Sequence, residues 1–204
     1  MKKIFIFDLD GVLIDSRSNM LLSWAAVRKE HNIKKTFKLY FKNIGTPFKK
    51  ILEKIDINKD QALIEKTFKM NSIKNFSKIT LYPNVVKVLH KLKQKNILGL
   101  LTSKDKYRTF KLLKKFKIIN YFDFIECPSS RYRGKPYPDQ ILKHLKRYKI
   151  PKKSVYYIGD MKYDLLTAKR AGINFIFASY GYGNLKKVKR IKKSTELIKI
   201  SNEI

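Results

Sequence analysis

The sequence predicts an α/β protein whose parallel sheet is interrupted, close to its start, by a helical insertion. Three observations carry this expectation. The chain opens on a short, fully apolar run, IFIF at residues 4–7, rich in β-branched and aromatic side chains, which reads as a buried strand. Residues 16–79 show helical spacing and no convincing strand. From Leu81 onward short apolar runs alternate with helical patterns, the order that builds a parallel sheet with right-handed crossovers.

Taken in order, the first strand ends on Asp8, Leu9, Asp10 and Gly11. Residues i and i+2 of an extended chain point to the same side, so the two carboxylates face one pocket while Leu9 turns back to the core. Like charges this close repel, and a divalent cation or a shared proton would compensate them; a solvated turn at a strand end is the plain alternative. An EF-hand loop would need an oxygen ligand at its fifth position and Gly at its sixth, where Val12 and Leu13 stand. A nucleotide-sugar transferase would need a nucleotide-binding unit before its DxD, and only seven residues precede Asp8. Phosphoryl transfer with an aspartate nucleophile survives, provided partners follow.

The insertion reads as helices over 18–31, with Leu21, Leu22, Trp24, Ala25 and Val27 as a broad apolar face, then 37–42, 48–55 and 59–71. Gly45, Thr46 and Pro47 break the pattern, and Pro47 suits a helix start. Beyond it, Pro83 opens a helix to residue 95, with Asn96 as a left-handed cap. A strand over 97–101 ends in Thr102, Ser103 and Lys104, and Asp105 caps a helix over 106–116. A strand over 122–127, a helix from Pro138 and Asp139 to 148, a strand over 155–158, a helix over 164–171 stopped by Gly172, and a last strand over 175–178 follow. A short helix over 195–200 closes the chain.

At 204 residues the chain has room for one good core or a core plus a small inserted domain. No apolar run approaches the roughly 18 residues that span a bilayer, the first strand is too short for a signal peptide, and the lone Cys127 fits a reducing cytoplasm. The charge is unusual: 47 Lys and Arg against 16 Asp and Glu, net +31. A basic surface can serve nucleic acid or an anionic membrane. The charge is mostly Lys, however, Arg is scarce, and the co-abundance of Ile, Asn, Phe and Tyr matches coding bias toward AT-rich codons. The expectation is weak, non-specific nucleic-acid binding at most, no membrane partner, and attraction of phosphorylated substrates.

Three further strand ends carry suitable chemistry. Thr102 and Ser103 offer hydroxyls and backbone N–H groups to phosphate oxygens, although a Thr there also serves as a turn residue. Lys135 lies in GKPYPD, stiffened by Pro136 and Pro138. Asp160 and Asp164, in GDMKYD, add two carboxylates at a strand end and first helical turn, where N-capping is the plainer role.

In this order (DxDGV, apolar-TS, KPxP, apolar-GDxxxD) the motifs resemble those of the haloacid-dehalogenase superfamily over nearly the whole chain. LYPNVVKVLHKLKQKNILGLLTSK, RYRGKPYPD and YYIGDMKYDLLTAKRAGINFIFASYGYG are similar to its phosphoglycolate-phosphatase-like branch. Asn84, Asn96 and Ser103 stand where Gly, Gly and Asn are usual, which touches turns and one backbone contact. The resemblance implies a Rossmann-like core over 1–15 and 80–204 and a helical cap over 16–79. It implies that Asp8 is the nucleophile and that Asp10 protonates the leaving oxygen and later deprotonates water. Mg²⁺ would be held by the Asp8 side chain, the Asp10 carbonyl and Asp160, with Asp164 orienting a metal-bound water or Lys135. Thr102, Ser103 and Lys135 would bind the phosphoryl oxygens, and Gly45 and Thr46 would reach a small phosphorylated metabolite. The expected function is a Mg²⁺-dependent phosphomonoesterase with phosphoglycolate as leading substrate. A phosphosugar mutase or nucleotide phosphatase of the same fold, and a nucleic-acid-binding protein with a vestigial site, are the alternatives; monomer and homodimer both stay open.

Overall fold

The computed structural model describes residues 2–203; Met1 and Ile204, the outer ends of the expected core domain, lie outside the described residues. The sheet has six strands in the order β5-β4-β1-β6-β7-β8, all paired in parallel. They are β1 Ile4–Phe7, β4 Ile97–Leu101, β5 Phe124–Glu126, β6 Val155–Gly159, β7 Asn174–Ala178 and β8 Arg190–Ile191. Parallel strands need crossovers, supplied by α5 Val85–Lys93, α6 Lys106–Lys115, α7 Asp139–Tyr148 and α8 Lys162–Ala171, with α9 Glu196–Glu203 at the end. Successive strand residues point to opposite faces. Phe5 and Phe7 therefore join Leu89, Leu112 and Leu197 on one side of the sheet, and Ile4 and Ile6 join Ile141, Leu145 and Ala168 on the other. From β1 the chain runs to β4 and β5 on one side and to β6, β7 and β8 on the other. The carboxyl end of β1 is thus the switch point of the sheet, the usual place for a ligand in an open α/β fold.

Between the two-residue strands β2 Ile14–Asp15 and β3 Thr80–Leu81, which pair antiparallel, the chain forms α1 Arg17–Glu30, α2 Phe37–Lys42, α3 Phe48–Lys54 and α4 Gln61–Lys74. These helices bury their own cluster, including Met20, Trp24, Tyr40, Leu52 and Phe68. Trp24 stacks on Tyr40 with centroids 4.6 Å apart, and its indole N–H donates to the Lys35 carbonyl at 3.0 Å, which satisfies its polar edge.

The structure corrects several details. The broad apolar face expected on α1 narrows to Met20, Trp24 and Val27, at i, i+4 and i+7, while Leu21 and Leu22 are exposed. Beside that stripe Asn19 exchanges hydrogen bonds with Ser72 of α4, using its amide N–H on the Ser72 carbonyl and its side-chain oxygen on the hydroxyl, a polar seam that periodicity of apolar residues does not reveal. Asn96 is not a left-handed cap: α5 ends at Lys93, and the Asn96 side chain instead donates to the Leu92 carbonyl at 3.0 Å. The left-handed residue sits at the other end of α5, at Asn84 with φ 64°, so the helix starts two residues after Pro83. The strand over 175–178 is not the last. β8 follows inside the lysine-rich run, where too few apolar residues stand to mark it.

Candidate active site

Asp8 follows β1 directly and is buried, as are Thr102, Lys135, Asp160 and Asp164. Its backbone N–H donates to the Ile158 carbonyl at 2.9 Å, so the β1–β6 ladder fixes its position. Leu9 turns into the core with no exposure. Asp8 Oδ1 accepts the Leu9 N–H at 2.7 Å and lies 2.9 Å from Lys135 Nζ. Lys135 also donates to Asp164 Oδ1 at 2.8 Å; its ammonium therefore bridges two carboxylates, one directly after β1 and one in the first turn of α8.

Asp164 is saturated. Its Oδ1 also accepts the Tyr157 hydroxyl at 3.0 Å, and its Oδ2 accepts the Asp160 and Met161 N–H groups at 3.2 and 2.9 Å. Its geometry makes it the residue that seats Lys135 and opens α8. Asp160 differs: Oδ2 accepts the Tyr182 N–H at 2.7 Å, while Oδ1 is buried with no hydrogen-bond partner among the described residues. A buried carboxylate oxygen without a partner is costly and asks for a ligand. One oxygen each of Asp8, Asp160 and Asp164 lie within 4.8 Å of one another. An all-oxygen, carboxylate donor set suits a hard divalent cation, so the residues present fit such an ion. Gly11 is required for this closeness: its φ is +84°, and a Cβ there would stand 2.1 Å from Asp160 Oδ2.

The electrostatics follow from burial. Desolvation raises Asp8 to about 7; Lys135 opposes this and Asp164 adds to it. Asp160 is pushed well above the ordinary carboxylate range, first by burial and then by Asp164 and Asp8. Lys135 is held above the usual lysine value, because Asp164 and Asp8 outweigh its desolvation.

Asp10 stands apart from the acid trio. Its Oδ1 accepts the Ser16 hydroxyl in a short hydrogen bond and faces Lys104 Nζ at 3.2 Å. Burial lowers the Lys104 ammonium against the pull of Asp10. Thr102 Oγ1 accepts the Lys104 N–H at 3.1 Å, which leaves its own proton to donate elsewhere. Ser103 Oγ donates to the Gly45 carbonyl at 3.0 Å, joining the loop after α2 to the end of β4.

A cavity of about 70 Å³ lies over Asp8. Asp10, Gly45, Thr46, Thr102, Ser103 and Lys135 line it, so every residue singled out from the sequence meets here except Asp160 and Asp164, which sit beneath Asp8. The sequence reading missed Tyr40, Lys104 and Arg108, which also line it. Tyr40 reads as one more apolar position of α2. In a chain with 47 basic residues neither Lys104 nor Arg108 stands out by type. Only the position of Lys104, directly after Thr102 and Ser103, offered a signal.

The model of the haloacid dehalogenase-like hydrolases matches residues 5–178. The chain is 28% identical to a phosphoglycolate phosphatase of Aquifex aeolicus over 186 residues, covering 90% of this chain and 87% of that one. It is 26% identical to a pyrophosphatase PpaX of Oceanobacillus iheyensis, covering 84% of this chain and 80% of that one. Among solved structures, a hydrolase from Pseudomonas syringae superposes with a TM-score of 0.87 at 24% identity, covering 100% of this chain and 99% of that one, a likeness of fold.

Proposed function

Since this chain belongs to the haloacid dehalogenase-like hydrolase family, we propose that it is a Mg²⁺-dependent phosphatase acting on a small phosphomonoester through an aspartyl-phosphate on Asp8. The observation that carries the reading is the Asp8 carboxylate itself. It is buried at the switch point of the sheet, with Oδ1 tethered by the Leu9 N–H and Lys135. Such tethering orients the other oxygen for attack on phosphorus. A new O–P bond forms to Asp8 as the bond from phosphorus to the leaving alkoxide breaks. Asp10, held by Ser16 and Lys104, gives its proton to that alkoxide and then takes one from the water that attacks the phosphoryl group, returning Asp8 as carboxylate. Lys135 and the free proton of Thr102 meet the phosphoryl oxygens as charge shifts among them. Bound at Asp8, Asp160 and the Asp10 carbonyl, Mg²⁺ would offset the repulsion between carboxylate and phosphate. Asp164 acts through Lys135.

We read residues 16–79 as a cap over a core of 1–15 and 80–204. The Ser103–Gly45 hydrogen bond and a cavity lined from both parts of the chain support this, and a cap excludes water and limits substrate size. Relatives named for phosphoglycolate and pyrophosphate support a compact substrate, with phosphoglycolate first among them. Among the described residues no helix is long and apolar enough to cross a membrane, which agrees with the cytoplasmic setting we assign. The test is release of phosphate from a chromogenic phosphate ester, followed by a panel of phosphorylated metabolites, each with Mg²⁺ and with excess EDTA. Metal-dependent release is expected; full activity in EDTA would overturn the reading.

A further inference from the structure

Arg108 is the one cavity-lining cation that no carboxylate of the Asp8–Asp10 centre neutralises. It sits in the first turn of α6 and is buried to 6% exposure. Its Nε is committed to Asp105, the cap of that helix. Its two Nη atoms have no hydrogen-bond partner among the described residues, and its guanidinium lies 5.6 Å from the centroid of Phe68 on α4. Tyr40 lines the same cavity; its ring is wedged among Trp24, Phe37, Phe48 and Phe68, and its O–H likewise has no hydrogen-bond partner among the described residues. Burial keeps that hydroxyl protonated against the positive field of Arg108, so it is a donor. A fork of guanidinium N–H groups and a phenolic O–H, without hydrogen-bond partners in a shared cavity, is chemistry that recognises an anion. Lys135 and Thr102 already serve one anion, the phosphoryl group, at the Asp8 end. Asp10, Lys104 and Ser103 are engaged with one another or with the cap loop, Met20, Ile51 and Phe68 add apolar lining, and the cavity is small.

We infer that Arg108 and Tyr40 form a subsite for a second anionic group of the substrate, a few bonds from the phosphorus being transferred. The inference rests on the phosphatase reading and narrows it: the substrate is a compact molecule with an anion at each end, and a phosphomonoester with a neutral tail is a poor one. The second anion has two chemical sources, a carboxylate or a further phosphoryl group.

The experiment compares phosphoglycolate, inorganic pyrophosphate and ethyl phosphate, which matches phosphoglycolate in length but lacks the carboxylate. kcat/KM is measured in Mg²⁺ for the wild type, Arg108→Gln, Arg108→Lys and Tyr40→Phe. The wild type should prefer one of the two compounds with a second anionic group over ethyl phosphate, and which one identifies the source. In Arg108→Gln that preference should fall by about ten- to a hundredfold, the worth of hydrogen bonds to a charged group, mainly through KM. Arg108→Lys should keep part of it, and Tyr40→Phe should lose less than Arg108→Gln. If Arg108→Gln does not fold, the other two variants carry the same ratio. A wild type without preference, or variants that slow all three compounds equally, would overturn the subsite and leave the phosphatase reading standing. Metal-dependent hydrolysis of none of the three would overturn both.

Discussion

Lys135 Nζ lies 2.9 Å from Asp8 Oδ1 with both side chains almost wholly buried, so the candidate nucleophile and its counter-ion are out of contact with bulk water. Removing one partner of a buried pair leaves the other uncompensated, at a cost of about 3–5 kcal/mol. Lys135→Met exposes two carboxylates, Asp8 and Asp164, to that penalty. Its thermal midpoint should fall by several degrees and its turnover should collapse. Asp8→Asn, by contrast, removes a negative charge from a crowded acid cluster, so its melting temperature should hold or rise while turnover drops at least about a thousandfold. Thermal melts paired with phosphate release separate the two, and an Asp8→Asn variant with a tenth of the wild-type kcat would end the nucleophile assignment.

The raised Asp8 and Asp160 also set a pH dependence for the metal-free protein. A carboxyl raised above its unfolded value binds more protons in the native state than in the unfolded one. Stability then falls as pH rises from the ordinary value through the folded one. For Asp8 that window runs from 3.8 to about 7, and Asp160 acts in the same direction and extends it upward. In EDTA the melting temperature should therefore decline between about pH 4 and pH 7 in the wild type and less so in Asp8→Asn. A flat profile in both would mean the cluster is compensated without a cation.

A cation that seats on Asp160 Oδ1 binds the native state alone, so Mg²⁺ should raise the melting temperature with concentration through linkage. Asp160→Asn should lose that rise while folding normally, because the amide oxygen can still accept the Tyr182 N–H. Asp10→Asn should keep it, since the Asp10 carboxylate is engaged by Ser16 and Lys104. Calorimetric titration in the absence of substrate reads both. Equal loss in the two variants would move the ion toward Asp10.

Much of this was legible in the chain because strand-end placement is local. The apolar run of β1 and its period of two predict the buried Asp8 and the inward Leu9, and Asp105 before a helical pattern predicts its cap. What the chain hides is tertiary pairing. Nothing about Asp164 distinguishes a residue saturated by four donors from the half-paired Asp160 four positions before it; that depends on where Lys135 and Tyr157 arrive. The same holds for Tyr40 and Arg108, one spelled as core and the other as one more basic surface residue. β8 was invisible because a two-residue strand carries no period.

The basic run around β8 yields the last prediction. β8 is the edge of the sheet, and Lys186, Lys187, Lys189, Arg190, Lys192 and Lys193 are all exposed around it. A very short edge strand flanked by lysine is how sheets avoid pairing with other chains, which gives the run a structural role without any polyanion. A dedicated nucleic-acid site would neutralise several phosphates at once and lose about 10³ or more in affinity between 50 and 200 mM salt. Oligonucleotide binding at about 150 mM salt should instead stay weaker than about micromolar, the ordinary non-specific range, while KM for a phosphorylated substrate rises with ionic strength as attraction beyond about 8 Å is screened. Replacing the six side chains with Gln should leave turnover near wild type at high salt but make the protein self-associate, read by light scattering. A nanomolar Kd in fluorescence titration, abolished by the same replacement, would place the run in a nucleic-acid site instead.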